Sequence, residues 1–287
     1  MLDRKPRLRY NNSVIPYRMI RLREEGQAVF EGLSQFFAEP VAFFDQAIFR
    51  VAAVLIGLCC HEWGHAYAAY RCGDDTAKRM GRMTLNPLAH LDPVGTLLMF
   101  FFGFGYAKPV PVNPWRFRGN RRKCDLVVSL AGISVNIVLF VLFTLLAAVG
   151  SLLMWEGEVV EYYGLSMLLD YRYNAIWEVI EGTAGATFDG LIAMTAMIPV
   201  VRLCAYTALI NLNLAVFNLL PLPPLDGYHV FNDLILKGKL FLSEKAFRIG
   251  MIIVLILSWK GVLGRIISAV VYPAQGLVLT LVRLIWG

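Results

Sequence analysis

Residues 41–70 read VAFFDQAIFRVAAVLIGLCCHEWGHAYAAY and decide the fold class. The run is apolar apart from Asp45, Arg50 and the polar group at 61–65. An α-helix rises about 1.5 Å per residue, so about 20 residues cross the hydrocarbon layer of a bilayer. The stretch therefore predicts a transmembrane helix, and Gly73 is a suitable place for that helix to end.

Further apolar blocks follow along the chain. We expect transmembrane helices over 125–155 and 191–220, and two closely joined helices over 246–259 and 262–286. Of the 287 residues, 57% are hydrophobic and 17% are charged, whereas about a quarter are charged in soluble domains. This excludes a soluble domain, a disordered chain and a collagen-like repeat, and the five cysteines show no spacing of a disulfide scaffold. The sequence predicts an all-α polytopic membrane protein with about five to six transmembrane helices.

The chain is expected to have three parts. Residues 1–40 form a basic tail and an interfacial helix that ends at Pro40, 41–245 form the core, and 246–287 form C-terminal transmembrane helices. The first 27 residues lack the apolar segment and cleavage site of a secretory signal.

One apolar segment is too short for an ordinary span. Residues 94–106 read VGTLLMFFFGFGY, and AKPVPVNPW follows at 107–115 with three prolines. Backbone without internal hydrogen bonds cannot face lipid. We expect a re-entrant, strand-like loop packed against the protein, with a soluble loop at the membrane interface as the alternative.

Charge indicates the orientation in the membrane. Segment 71–124 holds ten Lys and Arg against three acids, whereas the polar loop expected at 156–190 holds seven acids and one Arg. The positive-inside rule places 71–124 in the cytoplasm. A single span before residue 71 would put the N-terminus outside, whereas the seven Lys and Arg of residues 1–25 favour the cytoplasm, so the side of the N-terminus stays open. The net charge is +6, and the Lys and Arg residues collect beside the apolar blocks, so we expect a lipid bilayer as partner and no nucleic acid.

The polar group at 61–65 is His61-Glu62-Trp63-Gly64-His65, an H-E-x-x-H pattern. Residues i and i+4 of a helix share one face, so both imidazoles can bind one Zn²⁺. Glu62 would then lie beside the open coordination position, where it can accept a proton from water. Polar side chains inside a span are costly and rarely incidental. The alternative is a pair of buried histidines that hydrogen-bond to neighbouring helices.

A catalytic zinc usually takes a third protein ligand. Asp226, in the stretch NLLPLPPLDG at 218–227, is the best candidate, because its span and the first one should run in the same direction and end at the same membrane face. Prolines break the helix there, and Gly227 permits unusual backbone geometry. An Asp that starts a surface turn is the alternative. The rival ligands are His90, His229, Cys59 and Cys60.

Asn136 lies within the second span, in AGISVN at 131–136. A buried amide needs hydrogen-bond partners, so Asn136 could bind a substrate backbone or a developing oxyanion. The alternative is an amide that joins two helices.

These motifs occur in the order found in the site-2 protease family of intramembrane zinc metalloproteases, which the chain resembles over roughly residues 55–230. The resemblance is to the compact bacterial branch without a PDZ or CBS domain. It implies that His61, His65 and Asp226 hold one zinc ion, that Glu62 is the general base and acid, and that 41–245 is the protease core. It also implies that a set of residues in and beside the strand-like loop 103–113 binds an unwound substrate helix. That set is Asn136, Lys108, Pro109, Val110, Pro111 and Asn113. Ile133 stands where the family often has Pro.

The expected function is hydrolysis of peptide bonds in or near transmembrane helices of membrane-protein or peptide substrates. We expect a multi-pass protein of the cell membrane whose active site faces the cytoplasm. Two alternatives stay open: a non-proteolytic zinc-binding membrane protein, either carrier or scaffold, and a metal-dependent membrane hydrolase that acts on lipid or a prenylated peptide.

Overall fold

The computed structural model describes residues 36–102, 107–240 and 242–286. Within these ranges the chain is all-α, and its β structure is a single isolated bridge between Trp155 and Ile192. The α-helices are α1 Pro40–Arg71, α2 Thr76–Arg79, α3 Pro93–Phe102, α4 Arg121–Met154, α5 Gly157–Tyr163, α6 Leu165–Leu168, α7 Asn174–Glu181, α8 Ala184–Thr187, α9 Ile198–Asn218, α10 Asp226–Leu234, α11 Glu244–Trp259 and α12 Val262–Trp286. Short 3₁₀ turns lie at Pro87–Ala89, Pro114–Arg116 and Thr195–Met197. The predicted fold class is confirmed.

Four of the described helices are long and apolar enough to cross a membrane. They are Pro40–Arg71, Arg121–Met154, Thr195–Asn218 and Val262–Trp286. Glu244–Trp259, which we expected as a further span, has 16 residues and so covers only about 24 Å of the roughly 30 Å hydrocarbon layer. The number of full-length spans among the described residues is therefore four, below the expected five to six.

Helices α1, α4 and α9 form the centre of the bundle, and glycines let them approach closely. A Cβ atom at Gly64 of α1 would lie 3.0 Å from Val135 and 3.2 Å from the carbonyl oxygen of Ala131 on α4. At Gly150 of α4, a Cβ atom would lie 2.8 Å from Val201 on α9. Small residues at such contacts are typical of helix pairs in membranes. The close packing places the polar motif of α1 directly against α4.

Residues 156–190, expected as a polar loop, instead form four short helices that cover one end of the bundle. Ile176, Val179 and Ile180 of α7 are buried, as is Tyr171. Their spacing puts the apolar side chains on one helix face while the acidic residues face outward. Because the segment is rich in acidic residues, its sequence suggested a polar loop and not a set of amphipathic helices.

Two intramembrane charges are paired at the end of the bundle that lies away from the H-E-x-x-H motif. Arg202 of α9 donates to Asp45 of α1 at 2.6 Å and to the carbonyl oxygen of Ile180 at 2.8 Å. Its guanidinium also lies 4.2 Å from the ring centroid of Phe49. This ion pair ties the second turns of α1 and α9 together.

Helix α3 packs against the middle of α1. Arg50 of α1 donates to the carbonyl oxygen of Phe100 at 2.8 Å, so the last turn of α3 reaches the depth of the span, as a re-entrant segment requires. Residues 103–106 of the expected loop lie outside the described residues, as do residues 28–35 of the expected interfacial helix. Pro40 begins α1. The three-part division of the chain stays a prediction.

Candidate metal centre

His61, His65 and Asp226 bring three potential ligand atoms together. The two Nε2 atoms lie 2.9 Å apart, and Asp226 Oδ2 lies 3.3 Å from that of His61 and 3.2 Å from that of His65. In a tetrahedral zinc site with bonds of about 2.0–2.1 Å, neighbouring ligand atoms are about 3.3–3.4 Å apart. The spacing of the three atoms is therefore close to that of three corners of a zinc site. Among the described residues, this is the one group of His, Cys, Asp or Glu side chains that converges in this way.

A chain of amides fixes the protonation of His61. The Thr207 carbonyl oxygen accepts from Asn211 Nδ2 at 2.8 Å, and Asn211 Oδ1 accepts from Asn136 Nδ2 at 3.2 Å. The remaining amide atom, Asn136 Oδ1, accepts a hydrogen bond from His61 Nδ1 at 2.8 Å. Because a carbonyl can only accept, every donor in the chain is determined, and Nδ1 of His61 carries its proton. Nε2 therefore presents a lone pair to Asp226.

His65 has the same arrangement with a simpler partner. Its Nδ1 donates to the carbonyl oxygen of Val128 on α4 at 2.8 Å, so its Nε2 also presents a lone pair. Asp226 Oδ2 is buried and has no hydrogen-bond donor within the described part of the chain. Two nitrogen lone pairs and a carboxylate oxygen at these distances repel one another unless a cation lies between them. The residues present fit a bound zinc ion.

Asp226 is the first residue of α10, immediately after the Pro-rich turn that ends α9. The structure gives Gly227 a different role from the one expected. Its φ is not positive, but a Cβ atom there would lie 2.3 Å from the carbonyl oxygens of Leu219 and Leu220. Gly227 is needed because the start of α10 packs directly on the backbone of the turn, which brings Asp226 back to α1.

Glu62 lies beside the two histidines and faces the proline-rich segment. Its Oε2 accepts the backbone N–H of Val110 at 2.7 Å, and its side chain is largely buried. The cavity between these groups has a volume of about 390 Å³. It is lined by His61, Glu62, His65, Pro109, Val110, Val112, Pro114, Asp125, Val128, Ser129, Asn218, Pro224, Asp226 and His229.

The rival ligands have other partners. His90 Nε2 lies 2.8 Å from the carbonyl oxygen of Thr84, and His229 Nδ1 lies 3.1 Å from Asp125 Oδ2. The hydrogen bond to Asp125 raises the pKa of His229. Neither histidine belongs to the converging group, and neither do the free Cys59 and Cys60.

The sequence profile described as Peptidase family M50 matches residues 49–259, well over half of the chain. The chain belongs to peptidase family M50.

Individual relatives in this family carry zinc metalloprotease names. The chain is 36% identical over 215 residues to the Bacillus subtilis protein named "Putative zinc metalloprotease YwhC", a match that covers 73% of the chain and 79% of that relative. It is 31% identical over 196 residues to "Putative zinc metalloprotease Rip2" of Mycobacterium tuberculosis, covering 66% of the chain and 58% of Rip2. No solved structure matches the chain. The protein is a zinc metallopeptidase of the site-2 type, and its long apolar helices make it a multi-pass membrane protein.

The residues expected to bind substrate in this M50 peptidase differ in their position relative to the cavity. Pro109 and Val110 line the cavity, whereas Lys108, Pro111 and Asn113 lie beside it without lining it. Asn136 is fully buried, and both ends of its amide are engaged by the side chains that lead to His61. The geometry favours a role for Asn136 in holding His61 over direct contact with substrate.

Sequence reasoning missed three groups of the M50 site. Asn211 is a fully buried amide within the α9 span, and an amide in such a position was a signal that could have found it. The Val128 carbonyl oxygen carried no signal, because any residue supplies one. Val112 also lines the cavity and was passed over between its prolines.

Proposed function

We propose that this M50 peptidase is an intramembrane zinc metalloprotease, which hydrolyses peptide bonds in or near the transmembrane helices of membrane proteins. His61, His65 and Asp226 hold one zinc ion per chain, and Glu62 is the general base and acid. The observation that carries the proposal is the convergence of two histidine lone pairs, from a helix long enough to span a bilayer, with the buried carboxylate oxygen of Asp226.

Aromatic and basic side chains support a site just below one membrane surface. Tyr67 stacks on Trp63 with ring centroids 5.1 Å apart, and its hydroxyl accepts from Arg71 at 3.0 Å. Such pairs are typical of the membrane–water interface. His61 precedes Tyr67 by six residues, which is about 9 Å along the helix. The ten Lys and Arg of segment 71–124 support the assignment of this surface to the cytoplasmic side of the cell membrane.

The mechanism assigns distinct tasks to the side chains of the site. A bound zinc ion supplies Lewis-acid polarisation of water and of the scissile carbonyl group. Asn136 and Val128 hold the two imidazoles in the tautomer that leaves Nε2 free for the metal. Glu62 accepts a proton from the attacking water and delivers it to the leaving nitrogen. The carboxylate is kept in place for this task by the Val110 N–H.

The proline-rich segment gives the substrate a backbone to pair with. The carbonyl oxygen of Val110 and both backbone polar groups of Val112 make no hydrogen bond to any described residue. Both valines line the cavity beside Glu62. A transmembrane helix must unwind before its peptide bonds can be reached, and the freed backbone groups can then pair with this extended edge.

Replacement of the base tests the proposal directly. In vesicles that contain a single-span substrate, Glu62→Gln should lower the cleavage rate by about 10²–10⁴-fold and keep the zinc content. The isosteric amide preserves the Val110 contact but cannot take up a proton. Glu158→Gln, an exposed change at the opposite end of the bundle, should cleave like the wild type.

Cleavage by zinc-loaded Glu62→Gln at the wild-type rate would contradict the proposal. A wild-type chain that binds zinc but cleaves no membrane-spanning substrate would favour the carrier or scaffold. A wild-type chain that hydrolyses lipid or a prenylated peptide instead would favour the second alternative.

A further inference from the structure

The edge segment, residues 108–113, cannot be held in place as an ordinary strand. Pro109 and Pro111 have no N–H group, so a strand of the protein could not hydrogen-bond to these two residues as it would to an ordinary strand. No strand pairs with it among the described residues. Something else must fix its position over the cavity.

The loop over residues 73–92 does this at the first end of the edge segment. The Lys108 N–H donates to the carbonyl oxygen of His90 at 2.8 Å. Arg82 Nη2 donates to the carbonyl oxygen of Lys108 at 2.6 Å and to that of Pro109 at 3.2 Å. Arg82 is only 9% exposed, so its charge is directed at backbone carbonyl groups and not at water.

Asp74, from the same loop, holds the other end. Its Oδ2 accepts the Asn113 N–H at 2.6 Å, while Oδ1 accepts the Thr76 N–H at 3.0 Å. Asp74 is 1% exposed. Neither Asp74 nor Arg82 forms an ion pair within the described residues, so each buried charge is compensated mainly by the backbone and by short polar contacts. Charge-assisted hydrogen bonds of this kind are about twice as strong as neutral ones.

Between these two ends the edge segment faces the active site. The Val110 N–H donates to Glu62, and the neighbouring backbone groups of Val110 and Val112 are open for pairing. A shift of the edge segment would therefore move two things together: the Val110 N–H that donates to Glu62, and the backbone groups that are open for pairing.

We propose that Asp74 and Arg82 are positioning residues, which clamp the two ends of the edge segment and thereby set both the substrate-pairing edge and the orientation of Glu62. The proposal rests on the proposed proteolytic function. Neither residue touches the reacting atoms, so both act through the backbone of 108–113. The three metal ligands are held by other contacts, so zinc binding does not depend on the clamp.

Two conservative changes isolate the clamp. Asp74→Asn can keep an acceptor for Thr76 but turns an NH₂ group toward the Asn113 N–H, so the two donors oppose each other. Arg82→Gln removes the charge and shortens the side chain, whereas Arg82→Lys retains a charged donor and should restore part of the effect. The matched controls are Asp75→Asn and Arg79→Gln, because Asp75 and Arg79 pair with each other at 2.6 Å outside the segment.

Hydrogen–deuterium exchange of the zinc-loaded chain in detergent tests the clamp without reference to activity. We expect the amides of Lys108, Val110 and Asn113 to exchange about tenfold faster in Asp74→Asn and Arg82→Gln, as loss of one charged hydrogen bond implies. Exchange in the control variants should match the wild type. Unchanged exchange in both clamp variants would overturn the proposal.

Cleavage kinetics then test the positioning role. The clamp variants should keep full zinc content, raise KM about tenfold for a membrane-spanning substrate and also lower kcat, with partial rescue in Arg82→Lys. Faster exchange with unchanged KM and kcat would overturn the positioning role. A wild-type chain that cleaves no substrate would instead contradict the proposed function, and the exchange measurement would still decide whether the clamp exists.

Discussion

His61 and His65 each use one ring nitrogen to contact the protein and turn the other toward Asp226. The partners differ in kind: an amide side chain holds His61, whereas a backbone carbonyl group holds His65. Side chains that orient metal ligands affect metal affinity although they do not touch the ion. The amide chain from Asn211 through Asn136 is therefore part of the proposed metal site.

Removal of the first amide in that chain should weaken zinc binding. Asn211→Leu leaves the Asn136 NH₂ group without its acceptor, so the amide can turn and no longer fixes the tautomer of His61. We expect zinc affinity to fall about 10- to 100-fold, measured by competition with a chelator. Thr207→Val is the matched control, because the chain uses only the backbone carbonyl of Thr207. Equal affinity in Asn211→Leu and the wild type would refute the role of the chain.

At the level of single residues, the sequence predicts which side chains carry the chemistry better than it predicts which groups those side chains contact. The i, i+4 spacing of His61 and His65 predicted a shared helix face, and the structure places Asp226 against both. No pattern in the sequence could show that Asn136 points to His61 or that Val110 donates to Glu62. Both contacts depend on how α1, α4 and the edge segment pack in space.

At the scale of helices, the packing of α4 against α1 shapes the metal site. A Cβ atom at Gly132 of α4 would lie 2.5 Å from His65 Nε2 and 2.6 Å from His61 Cε1. These distances are far below ordinary contacts, and both rings are tied by hydrogen bonds that prevent a simple shift. Gly132 therefore leaves the space into which the imidazoles fit.

Gly132→Ala should disrupt the metal site while the helices remain. We expect zinc content to drop well below that of the wild type, with a loss of about 1–3 kcal/mol in stability from overpacking. Elemental analysis and thermal unfolding measure the two effects. Gly276→Ala on α12, where a Cβ atom would meet nothing within 4 Å, should change neither. Full zinc content in Gly132→Ala would show that the rings can move aside.

Helix boundaries follow from the sequence where apolar runs are long. The run at 41–70 agrees with α1 to within a residue at each end. The four short helices α5–α8 were missed, because each has only one apolar face and their acidic residues suggested a solvated loop. Short amphipathic helices are recognised by what they pack on, which a local pattern does not contain.

At the scale of the whole molecule, polar groups gather at the end of the bundle that holds the proposed active site. Beside the cavity, His229 pairs with Asp125, and Asp233 lies close by on α10. Burial and the neighbouring Asp125 carboxylate raise the pKa of Asp233 to about 6, against opposing effects of His229 and Arg122. Asp233 therefore takes up a proton at a higher pH than an ordinary aspartate does.

The raised pKa makes stability depend on pH. Because folding raises the pKa of Asp233 from 3.8 to about 6, the folded chain binds this proton more tightly, and stability falls as pH rises across that interval. Asp233→Asn mimics the protonated form. It should melt at a higher temperature than the wild type at pH 8, and the difference should shrink toward pH 5. A difference that is the same at both pH values would contradict this assignment.

Zinc content per chain, measured by elemental mass spectrometry on the purified protein, tests the central claim most directly. We predict about one zinc ion in the wild type and in Glu62→Gln, and a small fraction of that in Asp226→Ala, with helical content unchanged in all three. Full zinc occupancy in Asp226→Ala would contradict the claim that the two imidazoles and this distant carboxylate form one metal site.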